Sequence, residues 1–411
     1  MIIVSAVLVL LIAVSAARVF NATEPGGTAE AAVLAQQYQY EATVPPGIVS
    51  TIFVERSTGI DDGVKRLLAS MQKHGLHFYQ TPAAPQGLIA PGDVVLLKIN
   101  CQWDERGGTN TDLIRGVIQA IVDHPGGFSG EVIVADNGQA QFGPVGTGGS
   151  LSWARNNAVD TTQSVMHVVR SFQNRGLRVT GVLWDDFTTV RVQEFSDGDT
   201  RDGFVVEDTV RPTGLQISYP KFTTEFGTMV SFREGIWDPN TRTYNRERLK
   251  VINMPVLKSH MLFQVTGAVK NYMGVPSDRL TNRGAANRPH NSVGRGGMGT
   301  LMAETRFPVL NILDMIWIGP DMGPRNTFAN AVQINKIAAS TDPVALDFWA
   351  ARHVLQPEAA RRPGGRAPAM NPAGTEPGTF GHWLRLSMNE LQRAGFTVTM
   401  NESEMLIVDN S

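Results

Sequence analysis

Residues Val251–Pro276 read VINMPVLKSHMLFQVTGAVKNYMGVP. The stretch opens on an apolar run, Val251–Leu257, broken by Pro255, and drops into Lys258-Ser259-His260. A segment with helical spacing follows and carries a second polar pair, Lys270-Asn271. In open α/β sheets, ligand crevices form outside the carboxyl ends of parallel strands. An apolar strand that ends in Lys and His before a helix therefore points to a site. It does not name a substrate.

Outward from this stretch the chain alternates strands and helices. Val49–Val54 has strand character, and Ile60–His74 follows with Val64, Leu67, Leu68 and Met71 on one helical face. Val94–Ile99 is an apolar strand containing Lys98 and followed by Asn100. Thr109–Asp112 supplies helix-start residues for an amphipathic helix to Val122, and Glu131–Ala135 is a strand ending in Asp136-Asn137-Gly138. Thr161–Asn174 reads as a helix, with Asp160 or Thr161 as its cap, and Arg178–Trp184 as a strand ending in Asp185-Asp186. Short connections between such elements imply a mostly parallel sheet flanked by helices, an α/β fold. The region about 187–248 has alternating runs and few helix signals, so it reads as a smaller β-rich insertion. Further on, Gly299–Phe307 reads as a helix, Val309–Leu313 as a strand ending in Asp314, and Ile334–Ala339 as a strand. Pro343–Leu355 is a helix with Pro at its first position. Residues 356–381 are dense in Pro, Gly, Ala and Arg and read as a flexible excursion before a final helix and strand.

Composition sets bounds on function. The 411 residues are 42% hydrophobic and 18% charged, enough for a large core, and the net charge of −2 gives no global field for nucleic acid. The single cysteine, Cys101, rules out an internal disulfide and a cysteine-held iron–sulfur cluster or zinc site. It follows an apolar strand and reads as a small buried residue.

Ile2–Ala17 is almost wholly apolar and ends in small residues, Val14-Ser15-Ala16-Ala17. Residues 1–20 therefore read as a signal peptide or an N-terminal anchor, and 21–46 as a linker to an α/β body over 47–411. Either reading places the body outside the cytoplasm, with membrane contact only through this segment.

The polar residues at strand ends are the candidates for chemistry. Asp and Asn there commonly form turns and helix caps, as expected of Asp342 before Pro343. Lysines in apolar surroundings are harder to explain so, because a buried ammonium needs a carboxylate or an anionic ligand. Lys98, Lys258 and Lys270 are thus expected to converge on a phosphate or carboxylate, with Asn100, Asp136, Asn271 and Asp314 as further ligand-binding residues. His260 and His290 are the candidates for proton transfer, with Lys258 beside them. No HxH or HExxH spacing is present, so no metal ligand is assigned. There is no nucleophile elbow and no convincing dinucleotide-binding glycine motif.

At these residues the chain resembles domain-of-unknown-function family 362. The resemblance rests on Ile52–His74, on Lys98 and Asn100 with Thr111-Asp112, and on Ala135-Asp136-Asn137. Its most specific part is Met254–His260 with Val265–Gly274, followed by His290, Asp314, Gly319-Pro320, Gly323-Pro324 and Asp342–Asp347. It covers roughly Ile52–Leu355. It implies a fold-sized domain with a pocket, and no settled reaction. Some family members are joined to ferredoxin-like iron–sulfur modules; with one cysteine this chain departs from them, and no such cluster is expected.

The leading expectation is an exported enzyme acting on a small anionic compound, a carboxylate or phosphate, by Lys/His acid–base chemistry. The alternatives are a non-catalytic envelope ligand-binding protein and a metal-dependent enzyme. Cofactor and oligomeric state are left open by the sequence.

Overall fold

The computed structural model describes residues 45–139, 148–281, 289–321, 323–363 and 366–411. The expected signal or anchor segment lies outside them, as does nearly all of the expected linker. In chain order the strands are β1 (Ser50–Arg56), β2 (Val94–Lys98), β3 (Glu131–Asp136), β4 (Val179–Leu183), β5 (Arg191–Val192), β6 (Gly203–Val210), β7 (Gln216–Thr223) and β8 (Met229–Ser231). They continue as β9 (Gly235–Asp238), β10 (Thr243–Asn245), β11 (Leu249–Asn253), β12 (Val256–His260), β13 (Gln264–Thr266), β14 (Leu310–Gly319), β15 (Val332–Ser340) and β16 (Met405–Asn410).

The main sheet runs β16-β1-β15-β14-β11-β2-β3-β4, with β12 and β13 attached beside β14. Every pairing from β14 to β4 along this order is parallel, and β15 lies antiparallel between β1 and β14. The second sheet, β10-β9-β8-β7-β6-β5, is mostly antiparallel. The fold is α/β, as the sequence predicts. β2 is buried along its whole length because helices or sheet cover both faces of a parallel strand.

One face is covered by the helices Gly63–Lys73, Thr111–Val122 and Val165–Gln173, whose apolar stripes join the inner side chains of β1, β2 and β3 in one core. The other face carries the second sheet and the helices Gly297–Glu304, Pro343–Ala350 and Phe380–Arg393 in a second core. Caps fix several starts. Asn110 accepts the N–H groups of Asp112 and Leu113, and Asp342 accepts those of Val344 and Ala345.

Several expectations are corrected. The helix expected from Thr161 begins at Val165, because Ser164 and His167 form a capping box. The strand expected to end at Asp314 continues to Gly319, since β12 and β15 hold its second half. Residues after His260 first make a hairpin, β12–β13, and only then the short helix Ala268–Asn271. The expected flexible excursion contains the helix Gln356–Ala360 and a turn of 3-10 helix at Ala367–Met370. Residues 364–365 of that excursion are outside the described residues, as are 140–147 of the glycine-rich stretch Gln139–Ser150 and 282–288 of the polar stretch Ser277–Gly297, both of which read as loops in the sequence.

The break at Pro255 positions the site. Proline has no N–H to give to a ladder. β11 ends at Asn253, the Met254 N–H donates to the Lys98 carbonyl, and the Asp314 N–H donates to the Pro255 carbonyl. The chain then resumes as β12 alongside the far half of β14, with Val256 opposite Asp314 and Lys258 opposite Gly319. This carries Lys258 and His260 beyond the ends of β2 and β3.

Candidate functional site

At the carboxyl edge, one small cavity is lined by Lys98, Asn100, Asp136, Lys258, His260, Lys270 and Asn271. Gln102, Gln139, Thr266 and Pro324 complete its wall. Lys98 closes β2, Asp136 closes β3, Lys258 and His260 close β12, and Lys270 and Asn271 end the short helix. The cavity has a volume of about 10 Å3, room for one water molecule.

Among the described residues, one of the three lysines has a carboxylate in contact. Lys98 Nζ lies 2.7 Å from Asp136 Oδ1, with both side chains almost fully enclosed. The same ammonium donates to the Ile99 carbonyl at 2.8 Å, and Asp136 Oδ2 accepts the Cys101 N–H at 2.8 Å. Burial pushes the Asp136 carboxyl up while the Lys98 charge pulls it back. Cys101 is buried, and its thiol is held well above the usual range by burial and by Asp136. It therefore stays protonated.

Lys258 Nζ donates to the Gly107 carbonyl. Lys270 Nζ sits 5.4 Å from the centre of the Phe263 ring and meets no hydrogen-bond acceptor among the described residues. Burial lowers both ammonium groups to about 7. Lys258 is lowered further by the Lys270 charge, whereas Asp278 partly restores Lys270.

His260 is fixed in one form. Its Nδ1 accepts the backbone N–H groups of Leu262 and Phe263, at 3.1 and 3.2 Å. The proton of the neutral ring must then be on Nε2. Burial, with the charge of Lys270, holds the imidazole far below its ordinary range, so it stays neutral. In that form His260 offers a hydrogen bond through Nε2.

Buried amides brace this edge. Asn271 Nδ2 donates to Asn253 Oδ1 at 2.8 Å, and Asn253 Nδ2 donates to Asn311 Oδ1 at 2.9 Å and to the Ala268 carbonyl at 2.9 Å. Asn311 in turn donates to the Ser340 carbonyl. Asp347 accepts the Ala268 and Val269 N–H groups at 2.5 and 2.9 Å, capping the helix that carries Lys270. On the cavity wall, Asn100 Oδ1, Gln139 Oε1 and Thr266 Oγ1 are enclosed and have no hydrogen-bond partner among the described residues. Orphaned polar atoms around three lysines are what a site leaves for a ligand to complete.

Two of the residues singled out in the sequence stand apart. His290 lies 3.2 Å from Asp278 and packs against Phe263, behind the cavity wall. Asp314 is buried mid-strand, where it accepts the Asn110 and Ile316 N–H groups and the Asn157 amide. It sits near Arg106, and burial raises its carboxyl to about 7. The residues that sequence reasoning missed are Gln102, Gln139, Thr266 and the bracing Asn253 and Asp347. Gln102 and Gln139 each lie two positions beyond a polar residue that was singled out, a signal that could have found them.

A larger groove of about 850 Å3 lies on the far side of the helix layer, between Gly63–Lys73 and Thr111–Val122. Its charges near Asp61 are paired at the surface, Asp61 with Arg66 and Asp62 with Lys65, so it lacks the uncompensated buried groups of the carboxyl edge.

Among the described residues no cluster of His, Cys, Asp and Glu is arranged to hold a metal ion, and no helix is long and apolar enough to cross a membrane. No solved structure matches the chain. A thylakoid-associated protein of Synechocystis sp., sll1697, is 30% identical over 190 residues, 44% of this chain and 53% of that protein. The chain thus spans about half the length of that curated relative. Residues 246–352 match the family described as domain of unknown function (DUF362). That span is shorter than the Ile52–Leu355 of the sequence resemblance, yet it holds Lys258, His260, Lys270 and Asn271, so the part of the chain that carries these residues is the part that matches the family.

Proposed function

We propose that the carboxyl-edge cavity is the active site of an enzyme that binds a small anionic compound, a carboxylate or phosphate. One observation carries this reading: three buried lysines face one cavity, and a single carboxylate, Asp136, meets one of them. Lys258 and Lys270 meet no carboxylate in contact among the described residues, and Asp278 compensates Lys270 only in part, so the low-dielectric site favours an anion. The cavity has room for about one water, so the ligand it favours has few heavy atoms. Proton transfer falls to Lys258 and Lys270, which are poised near neutrality, and His260 donates a fixed hydrogen bond. The test is thermal shift with phosphate, sulfate, bicarbonate and glyoxylate on the parent protein and on Lys258→Met and Lys270→Met. Stabilisation of the parent alone is expected. No shift with any of these anions, or equal shifts in folded variants, would overturn the assignment.

We also propose that the protein works outside the cytoplasm, exported or tethered by its N-terminal segment. The apolar run Ile2–Ala17 supports this, as does the description of the Synechocystis relative as thylakoid-associated. Fractionation of the full chain with and without residues 1–20 is the check. A body found only in the cytoplasm with that segment intact would exclude it.

A further inference from the structure

We infer that Lys270 is a covalent nucleophile that forms an imine with a small 2-oxo acid, a reading that rests on the anion site proposed above. The three lysines of the cavity are not equivalent. Lys98 is committed as an ammonium to Asp136 and the Ile99 carbonyl. Lys258 donates to the Gly107 carbonyl. Lys270 lies over the face of Phe263, feels the Asp278 carboxylate without a hydrogen bond to it among the described residues, and reaches into the cavity from the end of its helix. A desolvated lysine next to other cations loses its proton readily, and the free amine is the nucleophilic form. Burial acts on Lys270 in this sense, outweighing the Asp278 charge that opposes it, and the Lys98 charge adds to it.

The surroundings fit carbonyl chemistry. The neutral His260 offers Nε2–H to polarise a carbonyl oxygen without donating a full proton. Thr266 Oγ1, on a side chain that is 3% exposed, and Asn100 Oδ1 are unpartnered polar atoms on the same wall. The remaining positive charge holds the substrate carboxylate. The amine of Lys270 attacks the carbonyl carbon, and its nitrogen–carbon bond forms as the carbonyl π bond opens. The carbinolamine oxygen takes one proton from the Lys258 ammonium; Lys258 is reloaded from the Lys270 nitrogen and donates a second time, so that the oxygen leaves as water while the nitrogen lone pair closes the C=N bond. No oxidant or reductant is needed.

The experiment uses the purified full chain with glyoxylate, the smallest 2-oxo acid, followed by borohydride reduction and peptide mapping. A single adduct at Lys270 is expected, forming about a hundredfold faster at neutral pH than adducts on exposed lysines, whose amines are almost wholly protonated. It should vanish in Lys270→Met and slow in Lys258→Met. Mapping the unsubstituted protein keeps the test independent of whether either variant folds. Labelling spread over surface lysines, labelling at Lys258, or no labelling overturns the inference. Phosphate thermal shift on the same preparation separates the two readings. A shift without an adduct removes the imine and keeps the anion site, whereas neither shift nor adduct removes both.

Discussion

A Cβ placed on Gly274 would lie 2.1 Å from Asp136 Oδ1 and 2.5 Å from Lys98 Nζ. The buried ion pair therefore occupies the space that any larger residue at 274 would need. Gly274→Ala should push the pair apart and destabilise the fold by about 1–3 kcal/mol, the usual range for overpacking a tight interior. Urea denaturation measures this. A variant as stable as the parent would show that the pair relaxes freely.

Removing one member of the pair should be worse than removing both. Lys98→Met leaves Asp136 enclosed with the backbone N–H groups of Cys101 and Asn137 to help it and no cation in contact, and should cost about 3–5 kcal/mol. Lys98→Met with Asp136→Leu should recover a substantial part of that loss. The double-mutant cycle checks it, and additive losses would contradict the coupling.

The pH dependence of stability should change sign near neutrality. Lys258 and Lys270 sit at about 7 when folded and near their ordinary value, about 10.4, when unfolded. Between those values the unfolded chain binds more protons, so these two groups make stability rise with pH and contribute no slope below 7. Asp347 is raised to about 7 by burial, so between about 4 and 7 the folded chain binds more protons and stability falls as pH rises. Lys270→Met should flatten the alkaline rise, and Asp347→Asn the acidic fall. Urea midpoints across pH read both.

Anion affinity should follow the ammonium forms. It should weaken above pH 7, by up to about tenfold per pH unit for each proton taken up on binding. Titration calorimetry in buffers of different ionisation enthalpy measures that proton uptake directly. A pH-independent affinity would remove Lys258 and Lys270 from the binding.

Asp347 should act through the helix it caps. Asp347→Ala removes the acceptor for the Ala268 and Val269 N–H groups and should cost about 1–2 kcal/mol. It should also weaken anion binding, because Lys270 and Asn271 ride on that helix. Asp342→Ala removes a cap of the same kind outside the cavity. It should lower stability while leaving affinity unchanged, and comparing the two separates loosening of the site from general destabilisation.

The parallel half of the fold was legible because its strands are apolar runs with helix signals between them. Lys98 and Lys258 stood out for the same reason, as charges in apolar surroundings. Less legible was anything set by register. Asp314 reads as a strand end because a carboxylate interrupts the run, although apolar residues flank it on both sides, Ile312-Leu313 before it and Met315–Ile318 after it. Its burial in β14 follows from pairing with β12 and β15, which no local pattern announces. The state of His260 was equally hidden, since it depends on two backbone N–H groups at the turn of a hairpin that the helical spacing of Val265–Lys270 had masked. The amide chain Asn271–Asn253–Asn311 joins residues on three elements, and only the folded sheet makes them neighbours.

The order of the main sheet has one further consequence. β1 runs the same way as β14, β11, β2 and β3, because β15 between β1 and β14 is antiparallel to both. The backbone therefore enters β1 at Ser50 from the edge opposite to the one where Lys98, Lys258 and Lys270 gather. Were the protein held at a bilayer by the residues before Pro45, the sheet would stand like a post planted by its foot. The cavity would then open at its head, toward the aqueous phase, and solutes would reach it without crossing the lipid surface.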